Sequence, residues 1–262
     1  MCPNPDCRAL ITTNDRVCPY CGVQLGRPAR SRIDSGQILG GMIPAARFTT
    51  VIILLINTGL FVADMLNPNA GITQAGASGP WPLNLVQWWR LITAGFLHGG
   101  ILHILMNSWV LFDLGAEVEQ IYGTSRLIVY YFVSTVTGFF LSSYMGQVSL
   151  GSSAGIYGLI GAMLAFGVTD KSALGSAVKA LYTRWLIYGL IMSLPIWGLR
   201  IDIYAHVGGF VGGFIAGYLA STPRAREMWK EPLIRGLAIA SIVVTAAAFA
   251  MMFRFMLGPV RF

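Results

Sequence analysis

Seven stretches of the chain are apolar for long enough to cross a lipid bilayer, roughly 48–66, 100–116, 126–145, 153–169, 184–199, 203–220 and 235–257. A span needs about 17–25 mostly apolar residues, because the hydrocarbon core is about 30 Å thick and a helix rises about 1.5 Å per residue. The pattern predicts an all-α membrane protein. Pro195 falls inside the fifth stretch and predicts a kink there. Residues 67–99 break the pattern with Pro68, Pro80 and Pro82 and with Trp81, Trp88 and Trp89. Tryptophan favours the membrane–water interface, so this segment is expected to be a loop lying partly in the headgroup layer.

Residues before the first apolar stretch have a different character. Residues 1–47 hold nine of the 29 charged side chains and all four cysteines. Cys2, Cys7, Cys18 and Cys21 are spaced C-x4-C-x10-C-x2-C, with Pro19 and Gly22 framing the second knuckle. Two short knuckles supply four soft ligands for a zinc tetrahedron. The rival reading is a disulfide framework, which needs an oxidising compartment. Residues 1–25 resemble a minimal zinc ribbon of the kind found at the N-termini of some bacterial membrane proteins. No leader-like segment precedes the cysteines, so this head is expected in the cytosol. Residues 26–47, with Arg27, Pro28, Arg30, Arg32 and Gly36, read as a basic linker.

Composition sharpens this. The chain is 55% hydrophobic and 11% charged, against about 25% charged for a soluble domain. That excludes an ordinary water-soluble enzyme and a disordered chain. The net charge of +7 does not point to nucleic acid, because Lys and Arg concentrate on the cytoplasmic side of membrane proteins. With the N-terminus inside, the inner segments hold 14 Lys and Arg, and only Arg90, Arg200, Arg254 and Arg261 fall outside. The expected topology therefore has a cytosolic N-terminus and an outer C-terminus, in a plasma or bacterial inner membrane.

Polar residues at membrane depth are functional candidates. All three histidines qualify: His98, His103 and His206. His103 and Asn107 share a helix face at i and i+4. Ser153 and Tyr157 do the same, and Ser153 opens a helix whose free N–H groups favour a developing oxyanion. Taken singly, the first pair is better explained by interhelical hydrogen bonding and the second by small-residue packing. Gly209, Gly213 and Gly217 form a small-xxx-small stripe near His206, and Gly151, Gly155 and Gly158 form another near Ser153. Two such stripes can bring a serine and a histidine together, as a base-activated nucleophile requires. Gly151-Ser152-Ser153-Ala154-Gly155 also matches the nucleophile elbow of α/β-hydrolases, but that motif needs a strand–turn–helix context that membrane spans do not supply.

In chain order, four pieces resemble the rhomboid intramembrane serine proteases. They are Trp89-Arg90, the His98, His103 and Asn107 spacing, Gly151-Ser152-Ser153-Ala154, and Ala205-His206 with Gly209 and Gly213. The resemblance covers about residues 48–220. It implies a six-helix bundle with a cavity open to the outer side, here followed by a cytosolic loop and a seventh helix within 221–262. It further implies a Ser153–His206 dyad, an oxyanion site made by His103, Asn107 and the Ser153 N–H, and Tyr157 packed on the His206 imidazole. His98, Trp89, Arg90, Gly151, Gly209 and Gly213 have supporting places, and Glu119 looks like a structural acid of the family. Transmembrane proteins within the lipid bilayer would be the substrates. No cofactor is implied for catalysis, only structural zinc in the head, whose own partner is unknown. Ala154 departs from the glycine that most often follows the serine. Asp202, four residues before His206, reads as a helix cap rather than a third catalytic member. The rival readings are an inactive rhomboid-like protein that binds transmembrane clients, a membrane haem protein, and a plain anchor for the zinc head.

Overall fold

The computed structural model describes residues 2, 4–7, 9, 17–24, 47–193, 201–220, 222 and 229–258. The chain divides into two units, Met1–Ala45 and Ala46–Phe262. The expected linker 26–47 lies outside the described residues except for Arg47, and so do Pro195 and most of the loop after residue 220.

The larger unit is all α. Its long helices are α1 (Phe48–Leu66), α5 (Ile101–Tyr122), α6 (Thr124–Tyr144), α7 (Ser153–Thr169), α8 (Ala173–Met192), α9 (Ile203–Ala220) and α10 (Glu231–Leu257). Between α1 and α5 the chain makes three short helices, α2 (Ile72–Gly76), α3 (Trp81–Val86) and α4 (Arg90–Thr93), with 3-10 turns at Pro68–Ala70 and Ala94–Phe96. Five of the long helices, α1, α5, α6, α9 and α10, are long and apolar enough to cross a membrane. The seven expected spans all fall on long helices, with one substantial change of bounds. The fifth helix begins at Ala173, not near 184. The Ser172 hydroxyl caps it by accepting from the Gly175 N–H at 3.2 Å. Lys179 within that first half, with Arg184 just beyond it, disguises it as a loop in the hydropathy pattern.

Helix α7 is the centre. Every residue from Ala154 to Gly167 is buried, with α5, α6, α8 and α9 around it. At 17 residues it is about 26 Å long, shorter than the roughly 30 Å hydrocarbon core. Its ends are therefore recessed, and Ser153 stands at one of them.

Lipid is as apolar as leucine, so helices in a bilayer associate through close packing and hydrogen bonds. The sequence provides both. On α9, a Cβ at Gly209 would lie 2.1 Å from the Ala154 carbonyl oxygen, and one at Gly213 would lie 2.0 Å from that of Gly158. One residue around the helix, Gly208 and Gly212 meet Thr137 of α6 just as closely. The Thr137 hydroxyl donates to the Gly208 carbonyl at 2.9 Å. Helix α9 is thus wedged between α6 and α7 by two glycine rows. On α7 the matching row is Ala154, Gly158 and Ala162. Gly155 of the expected second stripe packs on the Tyr131 ring of α6 instead.

Two polar ties fix one end of the bundle. Glu119 Oε1 accepts from the Thr49 and Thr124 hydroxyls, each at 2.7 Å, joining the first turns of α1 and α6 to the end of α5. Arg126 pairs with Glu231 at 2.7 Å with both side chains largely buried. That pair joins the first turns of α6 and α10, so these helices start on the same side.

The segment between α1 and α5 is a built platform, not a loose loop. Arg90 donates to the carbonyls of Gln74 and Ala77 at 2.7 and 2.8 Å, Trp89 to that of Ala75 at 3.1 Å, and Thr93 to that of Gly76 at 2.8 Å. Four consecutive carbonyls at the end of α2, which no helical N–H could reach, are thereby satisfied. Trp89 is 5% exposed, whereas Trp88 is 40% exposed beside the exposed Leu85 and Val86. Only the α3 side thus keeps the interfacial character expected of all three tryptophans. The C-terminal half of α10 closes over this platform. Met252 fills the space above Gly76, Phe249 meets Phe96 at 5.4 Å, and Phe255 meets Trp89 at 5.7 Å.

Candidate active site

The platform reaches the recessed end of α7 through backbone pairing. Ser78 and Ser149 exchange N–H···O bonds of 2.9 and 3.0 Å, and the Gly151 N–H donates to the Ala94 carbonyl at 2.9 Å. Gly151 has φ +129°, and a Cβ there would lie 2.6 Å from His103 Nε2 and 3.7 Å from Ser153 Oγ. Only glycine takes that backbone and leaves that notch. The notch has the His103 imidazole on one side and the Ser153 hydroxyl on the other.

The two adjacent serines part company. Ser152, wholly buried, meets His98: its Oγ is 3.2 Å from His98 Nε2. Ser153 faces the other way, with its Oγ 2.9 Å from His206 Nε2. The Tyr157 ring stacks on the His206 imidazole, centroids 4.0 Å apart and planes 14° apart. His206 itself is buried on α9, at the turn where Gly209 lets α9 touch Ala154. A nucleophile-to-base hydrogen bond is thus held across two helices whose backbones are in contact.

His103 and Asn107 lie on one face of α5, as spaced. The Asn107 amide donates to the His103 carbonyl at 2.9 Å. It keeps a second N–H, because an amide nitrogen carries two. The His98 and His103 rings meet edge to face at 5.1 Å. His98, His103, Gly151, Ser153, Tyr157 and His206 therefore fall in one neighbourhood, while Trp89 and Arg90 sit in the platform and Glu119 at the end of the bundle where Thr49 and Thr124 meet it. Ala154 is fully buried, and its methyl occupies space left by Gly138 of α6. Asp202 acts as the cap of α9: its Oδ1 accepts from the Tyr204 and Ala205 N–H groups at 3.0 and 3.2 Å, and its other oxygen accepts from Ser142.

One residue escapes sequence reasoning. Ser193, which ends α8, places its Oγ 3.1 Å from His206 Nδ1 and 3.3 Å from Tyr157 Oη. A lone serine at the end of an apolar run gives no periodic signal, and its 13-residue offset from His206 acquires meaning only through helix packing.

The small unit gathers the four cysteines. Their sulfurs all lie within 4.8 Å of one another, with Cys2–Cys21 at 3.5 Å and Cys7–Cys18 at 3.8 Å, and none is disulfide-bonded. Zn–S bonds of about 2.3 Å in a tetrahedron place sulfurs about 3.8 Å apart, so the set fits a structural metal. Gly22, at φ +71°, makes the knuckle turn, and its N–H donates to the Cys18 carbonyl at 2.9 Å. The Val23 backbone N–H draws the Cys21 thiol down to about 6, while burial pushes that of Cys2 up to about 12.

A family model described as the Rhomboid domain matches residues 85–223. The chain is 32% identical over 127 residues to Rhomboid-like protease 3 of Toxoplasma gondii, covering 47% of this chain and 48% of that protein. It is 32% identical over 162 residues to Rhomboid protease GluP of Bacillus subtilis, covering 60% of this chain and 31% of that protein. It is 35% identical over 153 residues to Inactive RHOMBOID-like protein 8 of Arabidopsis thaliana, covering 56% and 42%. The chain thus spans between about a third and a half of the length of these curated relatives.

Proposed function

The chain belongs to the rhomboid family, and from that membership we propose that it is an intramembrane serine endopeptidase working through a Ser153–His206 dyad. The observation that carries the reading is the 2.9 Å contact between Ser153 Oγ and His206 Nε2. His206 takes the hydroxyl proton as Oγ attacks a peptide carbonyl. The oxyanion that forms is held by His103, Asn107 and the Ser153 N–H, the last at a helix N-terminus where the backbone donors point outward. His206 returns the proton to the leaving amine. Water then attacks the acyl-enzyme with His206 again as base, the acyl–Oγ bond breaks and His206 returns the proton to Ser153 Oγ, which closes the cycle with one peptide bond hydrolysed. Tyr157 holds the imidazole flat. Substrates are transmembrane segments, opened near their outer ends, since a helical backbone hides its carbonyls.

The topology in this reading places the cysteine head in the cytosol and the recessed end of α7 toward the outer side. The excess of Lys and Arg in the inner segments supports it. The test is a fluorophosphonate probe applied to the full chain in lipid vesicles. The label is expected on Ser153, and His206→Ala is expected to abolish it. A chain that folds and resists labelling would instead be an inactive rhomboid-like protein, as the name of the plant relative describes that protein.

For the head, we propose a structural zinc-ribbon-like module, with zinc held by Cys2, Cys7, Cys18 and Cys21. Purified protein should contain about one zinc per chain by elemental analysis. Cys18→Ser should lower that content severalfold and leave fluorophosphonate labelling of Ser153 intact. Metal-free protein with two disulfides would overturn this assignment.

A further inference from the structure

We propose that Ser193 is the positioning residue of the general base: it sets which imidazole nitrogen of His206 carries the proton. The inference rests on the dyad reading above and adds to it a member supplied by α8. Ser193 Oγ lies 2.7 Å from the Gly189 carbonyl oxygen, one turn back in the same helix. A carbonyl only accepts, so the single hydroxyl proton of Ser193 is directed to Gly189. What Oγ then offers its other neighbours is lone pairs. One neighbour is His206 Nδ1 at 3.1 Å, and the other is the Tyr157 hydroxyl at 3.3 Å. An acceptor facing Nδ1 selects the tautomer with Nδ1–H. That leaves Nε2 bare and 2.9 Å from Ser153 Oγ, which is the state a base must be in. The opposite tautomer would set an N–H against the serine and leave no base.

The position also suits the charge that develops. Ser193 is the C-terminal cap of α8, and a helix C-terminus carries a partial negative charge that favours a nearby cation. When Nε2 takes the serine proton, the imidazolium hydrogen-bonds through Ser193 to the Gly189 carbonyl at that end. A carboxylate would hold the ring more strongly, but a buried full charge at membrane depth is costly. Here Asp202, the nearby acid among the described residues, is engaged in capping α9 and in bonding Ser142. A hydroxyl in series with a helix end orients the ring without that charge. Gly189 completes the arrangement: a Cβ there would lie 2.3 Å from Tyr157 Oη, so its bare backbone is what admits the tyrosine beside Ser193.

The test uses the full chain in lipid vesicles, with a model transmembrane substrate and with 15N-labelled histidine. The chain has only three histidines, so His206 is assignable by one substitution. In the wild type, His206 should show a protonated Nδ1 and a bare Nε2. Ser193→Ala should give a mixture of tautomers and lower kcat by about 10- to 100-fold, the range for a hydrogen bond to a charged partner, with KM changed less than about twofold. Ser193→Thr, which keeps the hydroxyl, should preserve both signatures. An unchanged tautomer pattern in Ser193→Ala, or a kcat within about twofold of wild type, would overturn the proposal. So would equal losses in the Ala and Thr variants without a tautomer change, since that marks packing alone. Turnover persisting in Ser153→Ala would remove the dyad itself, whereas normal labelling of Ser153 with an inert Ser193 would remove only this addition.

Discussion

Replacing Ser153 by alanine should lower cleavage of a reconstituted transmembrane substrate by at least about a thousandfold, and His206→Ala should do the same. The double variant should be no worse than either single one, because members of a catalytic unit fail together. The informative contrast is Ser152→Ala. Both serines open α7, and the sequence offers little to separate them. The structure gives Ser153 the His206 nitrogen at 2.9 Å and gives Ser152 the His98 nitrogen at 3.2 Å. Ser152→Ala removes one buried hydrogen bond, worth about 0.5–1.5 kcal/mol, so its loss should stay within roughly tenfold. Product appearance on a gel, at equal protein in vesicles, decides the matter. An active Ser153→Ala beside a dead Ser152→Ala would move the nucleophile by one residue and sink the present dyad.

The helices are legible in the chain because each carries a long apolar run, and that run shows in hydropathy for the buried α7 as well as for the helices with exposed apolar faces. The bundle was less legible where a helix carries charge. Helix α8 is mostly exposed and keeps Lys179 in its first half and Arg184 just beyond it, so a window tuned to lipid starts it too late. The Ser153–His206 pairing could be anticipated because glycine rows signal backbone contact between two helices, and each row carries a polar residue at one end. The partner of each row was harder to assign. Gly155 lies in line with Gly151, yet it serves Tyr131 on α6, while Ala154 faces Gly209. A methyl-sized residue and a glycine serve the same contact, and a search for glycines alone passes over it. Trp89 and Arg90 read as a motif without a reason until the platform is seen. Their donors then account for carbonyls at the end of α2 that a five-residue helix leaves open. Ser193 had no such signal, because its role exists only when the end of α8, Tyr157 and His206 are packed together.

The contact between α7 and α9 should be the most fragile point of the fold. A Cβ on Gly213 would stand 2.0 Å from the carbonyl oxygen of Gly158, 2.4 Å from its carbonyl carbon and 2.5 Å from its Cα. Every one of these is backbone inside a buried helix, so no side chain can turn aside. Gly213→Ala therefore forces the two helices apart by about an ångström, against packing as dense as an organic crystal. Overpacking usually costs 1–3 kcal/mol and sometimes more. With backbone on both sides, about 3 kcal/mol or more is expected, read as a fall of roughly 10 °C in the melting temperature in detergent. Activity should fall further than stability, because Ser153 and His206 sit on the two helices being separated, and an ångström of misplacement costs about a hundredfold in rate. Gly59 is the control. It lies mid-helix in α1, and a Cβ there would meet nothing within 4 Å. Gly59→Ala should leave cleavage intact and raise stability by a few tenths of a kcal/mol up to about 1 kcal/mol, since alanine loses less conformational freedom in a helix. Wild-type melting and turnover in Gly213→Ala would mean that α7 and α9 do not meet backbone to backbone, and the geometry that joins serine to histidine would fall with that contact.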